Sequence, residues 1–77
     1  MGKETLVATR GDGTNVRYVL EVFEEGDHWT STLTRLDARG DPEPARVAPR
    51  FYGLTFEQAR RRMIAVLEND YESVKPS

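Results

Sequence analysis

The chain contains no cysteine, which removes disulfides, thiolate nucleophiles and cysteine-ligated zinc or iron–sulfur sites in one step. Histidine occurs once, at position 28. A lone imidazole makes no catalytic constellation, because Ser31, three residues on in the same strand, points to the opposite face. No apolar stretch approaches the roughly 20 residues of a spanning helix. The opening Met-Gly-Lys-Glu-Thr-Leu has no signal-type apolar core, and Leu6 stands where a myristoylation signal wants serine or threonine. A cytoplasmic protein without membrane attachment is the expectation. Calcium-loop alternation and HExxH spacing are also missing, so no metal and no cofactor is expected. Charge of one sign is not in excess either. The formal charge of -2 gives no global attraction to a phosphate backbone or an anionic lipid surface, which disfavours nucleic acid as a partner.

What remains is a short chain with the composition of a folded protein. Seventy-seven residues with 38% hydrophobic and 31% charged side chains suit one small domain, residues 1–77, with limited capacity to bury a core. Without covalent staples, such a domain relies on packing or on a partner subunit.

The clearest pattern runs from Thr55 to Tyr71. Thr55 reads as an N-cap with Gln58 three residues later to close a capping box, and Glu57 suits the positive end of the helix dipole. At about 100° per residue, Phe56, Ala59, Met63, Val66 and Leu67 share one face, with Ile64 and Tyr71 at its edge. So broad a stripe fits burial against a sheet. A helix over 56–71 is therefore expected, fraying from Asn69 toward Ser73, with Pro76 barring a long continuation. Leu54 is placed to pack on the first turn as part of a staple.

Strands are expected at about 5–10, 16–24, 28–36 and 46–51. Asp12-Gly13 and Glu25-Gly26-Asp27 supply tight turns, and Asp37 to Pro44 supplies a loop. Residues 16–24 alternate cleanly: Val16, Tyr18, Leu20 and Val22 on one face, Arg17, Val19, Glu21 and Phe23 on the other. In the third strand, Trp29, Ser31, Leu33 and Arg35 oppose His28, Thr30, Thr32, Thr34 and Leu36. Pro49 confines the fourth strand to an edge. The expected fold class is α+β, a three- or four-stranded antiparallel β-meander packed on one C-terminal α-helix. In outline this resembles WGR-type domains and the single-stranded-DNA-binding transcriptional coactivator fold. The Trp-Gly-Arg triplet is absent, since Trp29 is followed by Thr30 and Ser31, and the resemblance carries over no residue.

Two groups of residues stand out as candidate sites. Val19 and Phe23 have no helix to cover them, and with Trp29 they form a candidate interaction surface for a protein partner or a second copy in a homodimer. Arg35, Arg46, Arg50, Arg60, Arg61 and Arg62 form a candidate anion- or nucleic-acid-binding set. The nine arginines outnumber the two lysines, and guanidinium suits bidentate recognition of phosphate. Gly11-Asp12-Gly13 lacks the lysine and following helix of a phosphate loop, so it reads as a hairpin. The functional expectation is a non-enzymatic protein-interaction or regulatory module. The alternative is a single-stranded nucleic-acid binder with an arginine patch and exposed aromatics.

Overall fold

In a computed structural model, which describes residues 2–44 and 49–77, the chain runs as β1 (Gly2–Thr9), β2 (Asn15–Glu25), β3 (His28–Leu36), β4 (Arg50–Gly53), α1 (Phe56–Asp70) and β5 (Ser73–Pro76). The strands form one antiparallel sheet in the order β4-β3-β2-β1-β5, with α1 packed on one face. The architecture is the expected α+β class, with a fifth strand that the sequence pattern did not suggest. None of the described helices is long and apolar enough to cross a membrane.

Local chemistry explains the connections. In the β1–β2 turn, Gly13 adopts φ 90. Asp12 there accepts hydrogen bonds from the backbone N–H and the hydroxyl of Thr14, at 3.0 and 2.7 Å. The backbone bond first, and then the hydroxyl, hold the Asp12 carboxyl below its ordinary range. Glu25 and His28 are register partners, so Gly26 and Asp27 form a two-residue loop. Positive φ at Gly26 (61) and not at Asp27 is the signature of a type II′ turn.

Alternation along β2 places Val16, Leu20 and Val22 in the interior, with Tyr18 half-buried beside them. Leu6 and Ala8 join them from β1 and Leu33 from β3. The helix contributes Ala59, Met63 and Leu67, all buried, with Phe56, Ile64 and Tyr71 packed at the margin. Val66, expected on the same face, is only half-buried. Fifteen residues at about 1.5 Å each give a rod of roughly 22 Å. Four strand spacings of about 4.8 Å give roughly 19 Å. The helix is thus long enough to leave β4 at one edge and deliver the chain to β5 at the other.

Helix entry differs in two details from the expected cap. Thr55 Oγ1 accepts from Gln58 N at 3.1 Å as anticipated, but Gln58 Oε1 accepts from Leu54 N at 2.6 Å, one residue before the cap. Leu54 is 79% exposed and forms no staple, because Ala59 offers it too little surface. At the other end, the Tyr71 N–H still donates to Leu67 O at 2.9 Å while its own backbone is extended. Glu72 N then donates to Thr9 O, and the fraying expected over 69–73 becomes the start of an edge strand. Pro76 is tolerated there because an edge strand can spare one donor. The fourth strand is Arg50–Gly53, later than the expected 46–51, and residues 46–48 lie outside the described residues.

Candidate interaction surface

The strand pleat sorts side chains between the helix-covered face and the opposite one. On the opposite face, register partners line up in rows across the strands. Lys75, Val7, Arg17 and Leu36 form one row over β5, β1, β2 and β3. Thr5, Val19 and Thr34 form the next, and Lys3, Glu21, Thr32 and Arg50 the one after. Phe23, Thr30 and Tyr52 form the last full row. Among the described residues no second layer covers this face.

The Phe23–Thr30–Tyr52 row has a buried centre. Thr30 is fully buried although it belongs to the open face, and its hydroxyl donates to Glu25 Oε1 at 2.6 Å. Arg50 Nη1 reaches the same oxygen at 3.4 Å. Tyr52, half exposed, meets His28 edge-on with ring centroids 5.2 Å apart. His28 Nδ1 lies 3.3 Å from Asp27. An open hollow of about 470 Å³ is lined by Glu25, His28, Arg50 and Tyr52. At the far end of the sheet a cleft of about 440 Å³ has Val7, Leu36 and Ala38 among its apolar walls, with Arg17 and Glu43 beside them.

The structure does not unite the arginine set. Arg35 projects on the helix side and pairs with Glu43 at 3.1 Å. Of the described members of this set, Arg50 alone lies on the open face, occupied by Glu25. Arg60 is held by Glu4 at 3.0 Å and Glu57 at 3.3 Å. Its hydrogen bond to Glu4, with burial acting against it, raises the guanidinium further above its ordinary range. Arg61 is exposed on the helix, and Arg62 donates to Tyr52 O at 2.7 Å. Arg46 lies outside the described residues. Of the aromatic candidates, Trp29 is turned to the helix side, edge-on to Phe56 with centroids 5.7 Å apart. It is therefore separated by the sheet from Val19 and Phe23, which share the open face and are both half-buried.

Five residues of the open face escaped the sequence reading as site candidates: Lys3, Val7, Arg17, Leu36 and Lys75. The alternation Ser73-Val74-Lys75 is the one local signal for β5, and it is too short to stand alone. The row itself exists only through strand register. No protein-family model, curated protein or solved structure matches the chain.

Proposed function

We propose that the protein is a non-enzymatic interaction module that docks a protein partner on the uncovered face of its sheet. The observation that carries this reading is the placement of Val7, Val19, Phe23 and Leu36, all half-buried, on one face over which the described residues lay no second layer. A sheet backed on one side only is expected to show a polar outer face. Here four apolar side chains interrupt the threonines, as a docking surface requires. Dispersal of the arginines, three of them occupied by carboxylates, favours a protein over a nucleic-acid strand, which needs convergent cations.

Fractionation of a native extract by size tests the proposal. Wild-type chain should elute well above its own 8.8 kDa. Val19→Lys and Phe23→Ser should each return it to the monomer position without losing the cooperative melt. Wild type eluting as a bare monomer, or variants that stay in the complex, would contradict the proposal.

A further inference from the structure

The open face carries a local charge opposite to that of the whole chain. Its strands hold Lys3, Arg17, Arg50 and Lys75 against Glu21 and Glu25, while the chain's formal charge is -2. Asp37 and Glu43 stand only at the Leu36 end of the row, Glu43 paired with Arg35. Arg50 and Glu25 neutralise each other. Among the described residues Lys3, Arg17 and Lys75 have no carboxylate within ion-pair distance, and all three are exposed. A second copy presenting the same face would set cations against cations. An acidic partner would not.

The row Lys75–Val7–Arg17–Leu36 alternates cation and apolar side chain over four neighbouring strands. Its repeat is the strand spacing of about 4.8 Å, so three steps span roughly 14 Å. A helix laid along the row offers a side chain at each turn, and eleven residues at about 1.5 Å give roughly 16 Å. An extended segment offers one only every second residue, and six residues at about 3.4 Å overshoot to roughly 20 Å. Helical spacing keeps register with the row and extended spacing loses it. The ring-bearing row of Phe23 and Tyr52 lies about 20 Å further along the strands from Arg17 and Lys75, so bases could not stack between those two cations.

Building on the interaction module proposed above, we infer that this row receives an acidic amphipathic helix of a partner protein, with its carboxylates on Arg17 and Lys75 and its apolar side chains on Val7 and Leu36. A fluorescein-labelled peptide with glutamate and leucine alternating at positions 1, 5, 8 and 12 is the probe. Controls are a peptide of the same composition in scrambled order, the lysine-for-glutamate counterpart, and labelled oligo-dT.

Binding of the acidic peptide should exceed that of the scrambled one and fall about tenfold in Arg17→Gln/Lys75→Gln, with a steeper loss at high salt. Arg61→Gln/Arg62→Gln on the helix should leave it unchanged. Equal binding of the scrambled peptide, insensitivity to Arg17 and Lys75, or tighter binding of oligo-dT through the same residues would overturn the inference. If the peptide fails while Val19→Lys still dissolves the native complex, the partner's chemistry is wrong and the docking face stands. Both variants alter exposed side chains, and a coincident denaturation curve confirms that each is folded.

Discussion

Gly53 passes so close to the first turn of α1 that a Cβ built on it would lie 2.6 Å from the backbone nitrogen of Ala59. Its φ is not positive, so the constraint is steric and not conformational. Gly53→Ala must push the helix off β4, and overpacking of this kind costs about 1–3 kcal/mol. Urea denaturation should show a lower midpoint with an unchanged slope, whereas Gly11→Ala, facing only the flexible end of Glu72 at 3.4 Å, should cost far less.

Ser31 sits beneath the same turn, fully buried, with its hydroxyl donating to Ala59 O at 2.8 Å. Ser31→Ala removes this tie between sheet and helix, at a cost of about 1 kcal/mol. Met63, also fully buried, should be far more sensitive: truncation to alanine costs about 2–5 kcal/mol, and Met63→Leu less than about 1.5. A chemical-denaturation series should preserve that ranking. Ser31→Ala exceeding Met63→Ala would show that the sheet–helix seam is not where stability resides.

Tyr18 and Tyr71 bring their hydroxyls to 2.6 Å, and Arg10 lies 5.7 Å from the Tyr71 ring centre. Burial, and then the bond to Tyr71, pushes the Tyr18 phenol up to about 12, against about 10 in the unfolded chain. The neutral phenol is the form the fold favours. Its stabilisation is complete below about pH 10 and is lost as pH rises through that window to 12. Ultraviolet titration of the phenolates should show one late-ionising group that disappears in Tyr18→Phe. That variant should also lose part of its alkaline sensitivity.

Arg60 joins the helix to β1 through Glu4, and both side chains are about a quarter to a third exposed. Solvent screening limits such a pair to about 0.2–1 kcal/mol. Glu4→Gln should destabilise by that amount in dilute buffer and by less in high salt, as read from the denaturation midpoint at two ionic strengths.

Much of the fold was legible because two periodicities were clean. Alternation from Val16 to Val22 assigned the covered face correctly, and Ala59, Met63 and Leu67 lie where a helical stripe puts them. Short segments were harder to read. Ser73–Pro76 has one apolar residue facing the core and becomes a strand only because Thr9 and Thr5 offer backbone carbonyls to Glu72 and Ser77. Arg50–Gly53 depends equally on its neighbour, β3. The candidate site was half legible. Val19 and Phe23 were visible as apolar residues on a mixed face, but pairing Lys75 with Val7 and Arg17 needs the register of three strands. Proximity in sequence also exaggerated the arginines, since Arg60, Arg61 and Arg62 diverge around the helix, Arg60 to Glu4, Arg62 to Tyr52 O and Arg61 to solvent.

The central claim is that the protein meets its partner through the sheet and not through the helix's outer surface. A photoreactive amino acid placed at Val19, and separately at the exposed Ala65 of α1, tests it directly inside the cells that make the protein. The account predicts a discrete protein adduct from position 19 and none from position 65. Adducts from position 65 alone, or nucleic acid as the species captured at position 19, would contradict it.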